Sequence, residues 1–150
     1  MTSHVLVPID GEPSSRHALE FALSEHPEAT IRALHVIGFV DSTRRLGTLG
    51  GDARERYLEA EDYAEQVLAE AQSLASDFDS GLEIETDVAF GPPPRVIPDY
   101  AAEHGVDHIV MGDHGMAGSR RMVLGSVAEM VVRRAAVPVT VVRENQDADR

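Results

Sequence analysis

The chain has 150 residues, of which 43% are hydrophobic, and 26 acidic against 13 basic residues give it a formal net charge of −13. This size predicts a single domain whose hydrophobic core is large enough to fold without a structural metal or disulfides. The absence of cysteine excludes disulfides, thiolate metal sites and cysteine nucleophiles. No segment approaches the run of about 18 apolar residues of a membrane span, and the N-terminus lacks a secretion-signal layout. We therefore expect a cytoplasmic protein without a membrane span.

The basic residues are all arginine, without a single lysine. Because such an acidic surface repels nucleic acid, we expect no nucleic-acid partner. The bias resembles that of halophilic proteins from high-salt cytoplasms. A GC-rich genome that favours arginine codons is the alternative explanation.

The first half of the chain alternates predicted strands and helices. Residues 4–9, HVLVPI, form a short valine-rich run typical of a buried strand. A helix capped by Ser14 or Ser15 follows, and residues 30–37, TIRALHVI, predict a second strand. A long acidic helix is predicted over residues 53–78.

The segment before this long helix, residues 38–52, contains four glycines and few apolar residues, which indicates a mobile loop. The helix itself has apolar residues at helical spacing, and they predict its buried stripe. The residues of this stripe are Tyr57, Ala60, Ala64, Val67, Leu68, Ala71 and Leu74.

The second half continues the alternation. Residues 82–90, LEIETDVAF, alternate apolar and acidic side chains, as expected of an edge strand with one wet face. After them, a helix, a strand, a helix and a strand are predicted in turn over residues 92–104, 107–112, 125–136 and 137–143. Residues 144–150 form a polar tail.

Five strands that alternate with four helices predict an α/β fold, a parallel doubly wound sheet covered on both faces. Right-handed crossovers are consistent with the strand order 3-2-1-4-5, in which the first and fourth strands are neighbours. Such sheets bind ligands beyond the carboxyl ends of their strands, where the winding reverses. The residues after these two strands are therefore the candidates for a site.

A glycine-spaced, basic segment follows the fourth strand. Gly112 and Gly115 allow a sharp turn, and Gly125-Ser126 opens the next helix, whose N-terminal N–H groups favour an anion such as phosphate. Residues 114–143 contain five arginines and one glutamate, a formal balance of +4 within an acidic chain. The simpler interpretation is that the glycines shape turns, Ser126 caps a helix and the arginines pair with acids.

Two further residues point into the same crevice. Asp10 follows the first strand, where its carboxylate can accept hydrogen bonds from a ribose diol or can serve only as a turn and capping residue. Val36, at the end of the second strand, can offer backbone groups to a purine edge, although on sequence grounds alone core packing explains this residue better.

Together, these residues resemble those of the universal stress protein family. Nucleotide-binding members carry Gly, two residues, Gly, nine residues, Gly and Ser or Thr, which correspond to Gly112, Gly115, Gly125 and Ser126. The strand endings are also similar: Pro8-Ile9-Asp10, His35-Val36, Val110-Met111-Gly112 and Val137-Pro138-Val139. The resemblance implies a domain over residues 1–143 with the Rossmann-like fold of the adenine nucleotide alpha hydrolase type.

The resemblance implies ATP, or AMP or ADP, as the ligand, with Mg²⁺ or Mn²⁺ bridging the phosphates. The adenine is expected at the Val36 backbone, the ribose at Asp10 and Gly112, and the phosphates at Gly115, Gly125, Ser126 and the Val127 amide. The implied binding residues are Pro8, Ile9, Asp10, Val36, Met111, Gly112, Gly115, Gly125, Ser126 and Val127. It also implies a homodimer through the last strand, residues 137–143, whose apolar edge a soluble monomer rarely leaves open.

Two residues depart from the family pattern. Asp113 stands where a small hydroxyl residue is usual, and Met116 stands where arginine is often found. An inward-facing Asp113 carboxylate at about 4 Å from a phosphate would oppose binding by roughly 1 to 4 kcal/mol, depending on the effective dielectric. An outward orientation, or a cation between the two groups, would remove this penalty.

The leading hypothesis is a nucleotide-binding regulatory dimer with slow or no ATP hydrolysis and no catalytic residue. The second is a dimeric interaction module that prefers AMP or has lost the nucleotide. A nucleotidyl transferase or hydrolase is the third, but the Gly-x-Ser-x-Gly and His-x-Gly-His signatures are missing. A zinc pair at His104 and His108 is not favoured, because Gly105 breaks the helical face between them.

Overall fold

The computed structural model describes residues 3–38, 53–79, 82–113 and 124–143. Within these ranges, strands and helices alternate along the chain. The strands are β1 (His4–Pro8), β2 (Thr30–Ile37), β3 (Glu85–Phe90), β4 (His108–Gly112) and β5 (Val139–Val142). The helices are α1 (Pro13–Glu25), α2 (Ala53–Phe78), α3 (Pro93–Glu103) and α4 (Ser126–Arg134).

The strands form one parallel sheet in the order β3-β2-β1-β4-β5. This confirms the predicted order and fold class. The chain winds outward from β1 to β3 and then crosses back to β4, so that β1 and β4 are neighbours in the centre of the sheet. β3 and β5 are the edges, and the prediction of an edge strand within residues 82–90 is confirmed.

The sheet separates two apolar clusters, because successive side chains of a strand point to opposite faces. Val5 and Val7 of β1 pack with α1 and α2 on one face. Leu6 of β1 and Leu34 of β2 pack with α3 and α4 on the other. Burial on both faces explains why β1 and β4 are continuous apolar runs.

The predicted cap of α1 is wrong. The helix begins at Pro13 with Glu12 as its N-cap, and proline suits this first position because its missing N–H has no intrahelical partner there. Ser14 and Ser15 lie inside the first turn, only 2% and 7% exposed, and make no capping hydrogen bond. Their hydroxyls instead contact two aspartates.

The buried stripe of α2 is confirmed only in its second half. Its buried residues are Ala64, Val67, Ala71 and Ala75, whereas Tyr57 is 45% exposed and stacks on Phe90. A helix of 26 residues is about 39 Å long, but the eight residues of β2 span only about 26 Å. The helix is therefore longer than the strand beside it, and its first turns, which include Tyr57, contribute no buried residue.

β3 starts later than predicted, at Glu85 rather than residue 82. The side-chain amide of Gln72 donates to the carbonyl of Ile84 at 2.6 Å and accepts from its N–H at 3.4 Å. These bonds take the place of strand pairing at Ile84.

Among the described residues, no helix combines the length and apolarity needed to cross a membrane.

Candidate functional site

The central strands β1 and β4 stop pairing before they end. Their ladder ends at Leu6 and Ile109, whereas β4 goes on pairing with β5 as far as Gly112 and Val142. The last residues of β1 and β4 thus border a crevice at the point where the winding of the chain reverses. This is the position at which doubly wound sheets bind ligands.

Asp10 lies on the β1 side of this crevice, in the turn that leads into α1. Its Oδ1 accepts hydrogen bonds from the backbone N–H of Glu12 and the hydroxyl of Ser15, both at 2.9 Å. The turn-stabilising role considered from the sequence is therefore present. Because these bonds engage one carboxylate oxygen, they also fix the direction of the whole group.

Gly112 lies on the β4 side and is packed against α1. A Cβ at Gly112 would collide with the Ser14 hydroxyl and lie 2.8 Å from the Ser14 carbonyl carbon and oxygen. Glycine is required here so that α1 can approach the sheet closely. The first motif glycine thus has a packing role that the sequence pattern did not predict.

Asp113 follows directly and links four elements. Its carboxylate is 3% exposed and accepts a hydrogen bond from the Ser14 hydroxyl of α1 at 3.1 Å. Its backbone N–H donates to Val142 of β5 at 3.1 Å, and its carbonyl accepts from the N–H of Gly125, ahead of α4, at 2.7 Å. The carboxylate is therefore turned toward the start of α1.

The N-terminus of α4 is joined to the crevice by this last bond. Gly125 is the N-cap, and Ser126 is the first helical residue rather than the cap considered from the sequence. The Gly125 N–H already donates to Asp113, so the amides of Ser126 and Val127 come next. N–H groups of a first helical turn lack intrahelical partners, and the helix dipole makes this end positive.

The remaining predicted binding residues lie mainly in the apolar clusters on the two faces of the sheet. Met111 is buried in the cluster on the α3 and α4 face, and Val36 and Val127 pack against it with part of their surface exposed. Ile9 belongs to the cluster on the opposite face, and Pro8, half-buried, pairs with Leu34 of β2. Val36 therefore has the packing role that the sequence also allowed.

Several predicted features lie outside the described residues. These are the second motif glycine, the first arginine pair, the residue after Gly115 and most of the glycine-rich loop: Gly115, Arg120, Arg121, Met116 and residues 39–52. Gly115 and the loop stay predictions.

Two residues at the crevice were missed by the sequence analysis. His35 Nδ1 donates to the Ile9 carbonyl at 2.9 Å, and the Tyr63 hydroxyl donates to the Asp10 carbonyl at 2.8 Å. A histidine inside an apolar strand is a detectable signal, because a buried ring needs a polar partner. Nothing local marks Tyr63, since its contact is 53 residues away along the chain.

His104 and His108 are engaged separately. The His104 ring contacts the Tyr100 carbonyl at 2.9 Å, and His108 Nε2 lies 2.7 Å from the Thr140 hydroxyl. Within the described ranges, no three His, Asp or Glu side chains are grouped so as to hold a metal ion.

The strand order and the crevice define a doubly wound α/β protein whose winding reverses between β1 and β4. The profile of the universal stress protein family matches residues 1–143, and the chain belongs to this family. It is 31% identical to a universal stress protein of Methanocaldococcus jannaschii over 143 residues, which cover 93% of this chain and 81% of that relative. It is 32% identical to YxiE of Bacillus subtilis over 152 residues, which cover 95% of this chain and 100% of YxiE.

Solved structures show the same fold. UspA from Lactobacillus plantarum is similar with a TM-score of 0.76 and 28% identity, over 94% of this chain and 97% of that one. Two structures of this fold contain nucleotides. A universal stress protein from Archaeoglobus fulgidus was solved with dAMP (TM-score 0.65, 22% identity, 94% and 97% coverage), and another was solved with cAMP (0.56, 22%, 93% and 95%).

Proposed function

We propose that this protein binds ATP with Mg²⁺ or Mn²⁺ in the crevice between β1 and β4 and acts as a regulator. The observation that carries the proposal is the bond between Gly125 and Asp113, which brings the positive end of α4 to the switch point of the sheet. The family membership and the nucleotides bound by structural neighbours support it.

In the proposed complex, the purine lies along Val36 and Met111, whose cluster provides an apolar surface at the end of β2 and β4. The ribose diol binds the second oxygen of Asp10, because Oδ1 is already engaged. The phosphates bind the amides of Ser126 and Val127, with Gly115 as a further contact. Gly125 contributes the turn into α4 but not its N–H.

The divalent cation is expected to be held mainly by the phosphates. Mg²⁺ in nucleotide sites commonly binds one or two carboxylates together with phosphate oxygens and water. The described residues present no cluster of three acidic or histidine ligands. Phosphate oxygens and water as the main ligands suit a cation that binds together with the nucleotide.

The orientation of Asp113 reduces the repulsion between its carboxylate and the phosphates that the sequence led us to consider. This orientation therefore favours binding of a triphosphate. Its carboxylate is bonded to Ser14 on the α1 side, whereas Met111 and Val127 face the α3 and α4 side. AMP is the second candidate, because Asp113 is bonded through its backbone to Gly125 and its charge stays near the expected phosphates. The neighbours solved with the monophosphates dAMP and cAMP support that candidate.

We further propose slow or no hydrolysis, because the expected phosphate contacts are backbone amides, which bind charge without orienting a water molecule. The proposed homodimer pairs the β5 strands, and β5 is an edge with four half-buried residues. The cytoplasm, where ATP is abundant, is the expected location.

Isothermal titration calorimetry with ATP and with AMP, each with and without Mg²⁺, tests which nucleotide the protein binds. We expect saturable one-to-one binding of ATP that Mg²⁺ strengthens, and stronger binding of AMP would favour the second candidate. Absence of binding by both nucleotides would overturn the proposal. Phosphate release at ordinary enzyme rates would contradict the regulatory role, and sedimentation equilibrium that fits a monomer would contradict the dimer.

A further inference from the structure

The turn that carries Asp10 is held by side chains from two other elements. Ile9 donates its N–H to the Leu34 carbonyl at 2.8 Å, one residue beyond β1. His35 of β2 donates to the Ile9 carbonyl at 2.9 Å, and Tyr63 of α2 donates to the Asp10 carbonyl at 2.8 Å. The two consecutive carbonyls are thus bound from two directions.

These carbonyls belong to the two peptide planes that flank Asp10. Because a peptide unit is planar, fixing the carbonyl oxygen of each unit restricts φ and ψ of the residue between them. The direction of the Asp10 Cα–Cβ bond follows from those two angles. His35 and Tyr63 therefore fix the direction in which the Asp10 side chain leaves the backbone. Glu12 and Ser15 fix the position of its Oδ1.

The two anchoring side chains also contact each other. Their rings lie edge to face, with centroids 5.7 Å apart and an interplanar angle of 69°. His35 is 6% exposed, so its ring is fixed by packing, whereas Tyr63 is 42% exposed on the surface of α2. Edge-to-face contact restrains the tyrosine ring against the buried histidine.

Gly11 completes the arrangement. Its φ is +88°, a left-handed conformation that glycine adopts without strain, and a Cβ there would collide with the Tyr63 hydroxyl. The tyrosine therefore lies directly over the turn, in a space that only glycine leaves open. Its hydroxyl reaches the Asp10 carbonyl from α2, an element separate from β1 and α1.

We propose that Tyr63, supported by His35, is a positioning residue that aims the Asp10 carboxylate at the sugar diol of the bound nucleotide. The inference rests on the proposed function and goes further, because it assigns ribose recognition to a residue of α2. A contact with a charged acceptor is sensitive to direction, so loss of the Tyr63 bond weakens the sugar contact specifically.

The test compares MgATP with Mg-2′,3′-dideoxy-ATP, which lacks the diol. For the unmodified protein we expect ATP to bind roughly tenfold or more tightly than the dideoxy analogue, since hydrogen bonds to a charged group contribute this much. Tyr63→Phe keeps the ring and removes the donor. Its ATP-to-dideoxy ratio should fall to about threefold or less, while affinity for the analogue stays within about twofold.

Tyr57→Phe is the matched control, because Tyr57 lies on the same helix, is 45% exposed and is hydrogen-bonded to Glu61 rather than to the turn. It should keep the full ratio. His35→Leu and His35→Asn form a second pair, since asparagine retains an N–H donor on a short side chain. Leucine should lower the ratio, and asparagine should restore most of it.

The outcomes separate the inference from the proposed function. An unchanged ratio in Tyr63→Phe, or an equal loss of both ligands, would overturn the positioning role and leave nucleotide binding intact. Equal affinity of the unmodified protein for both ligands would overturn ribose recognition by Asp10 and the inference with it. If the unmodified protein binds neither ligand, the proposed function itself fails.

Discussion

The carboxylate of Asp113 and the hydroxyl of Ser14 are joined by a hydrogen bond of 3.1 Å, although 99 residues separate them along the chain. Both residues are buried, at 3% and 2% exposure. The bond ties the end of β4 to the first turn of α1, whose positive dipole end favours a negative charge. It thereby directs the unusual aspartate of the glycine motif toward the helix.

Ser14→Ala should destabilise the protein by about 1–3 kcal/mol, because a buried carboxylate loses a donor. Urea unfolding at pH 7 measures the change. Ser24→Ala is the control, since Ser24 is exposed on the same helix and should change stability by less than about 0.5 kcal/mol. Equal effects of the two substitutions would show that the Ser14 bond contributes nothing.

Gly112→Ala should cost about 3 kcal/mol, since a methyl group there meets the backbone of Ser14, which no rotamer change relieves. Gly105→Ala offers a comparison, because its φ is +64° but its Cβ position has open space. That variant should lose only about 1 kcal/mol from backbone strain. Thermal or urea unfolding ranks the two, and a smaller loss for Gly112→Ala would contradict the close packing of α1.

Ser126→Pro tests the amide at the start of α4. Proline is tolerated at the first helical position, and the preceding Gly125 has φ −66° and ψ 163°, as residues before proline favour. The helix should persist by circular dichroism, while affinity for MgATP falls roughly tenfold relative to Ser126→Ala, which loses only the hydroxyl. The same affinity in both variants would remove this amide from the proposed phosphate site.

His108 should make stability fall in mild acid. Burial lowers the pKa of His108 below its ordinary value of 6.5, and the charge of His26, whose ring centroid is 5.2 Å away, lowers it further. The unfolded chain then binds a proton at His108 more readily than the folded chain does, so the free energy of unfolding decreases as pH falls below about 6.5. No other charged group is found to act on His108 among the described residues.

Ring-proton NMR titration measures this directly. His26→Gln should raise the pKa of His108 toward its ordinary value, and His108→Gln should flatten the fall in stability below pH 6.5. His104→Gln, at a surface histidine, should leave the pKa of His108 unchanged. A pKa of His108 that ignores His26→Gln would refute the coupling between the two rings.

Local sequence patterns determined the fold to a large extent. The valine-rich runs at 4–9 and 30–37 and the apolar spacing of α2 predicted strands and helices at nearly their observed positions, because periodicity is a local property. The alternation of elements and the handedness of crossovers then led to the observed strand order. Errors arose at Ser14, Tyr57 and Ile84, where contacts from another element decide the outcome.

The sequence by itself therefore determined the fold and the family, and it predicted the ends of β1 and β4 as the place for a ligand. Only the tertiary structure decided that Asp113 turns toward Ser14, that the Gly125 amide is already bound, and that Tyr63 reaches the Asp10 carbonyl. These contacts join residues that are distant along the chain. Their geometry depends on how helices pack on the sheet, and no local pattern encodes it.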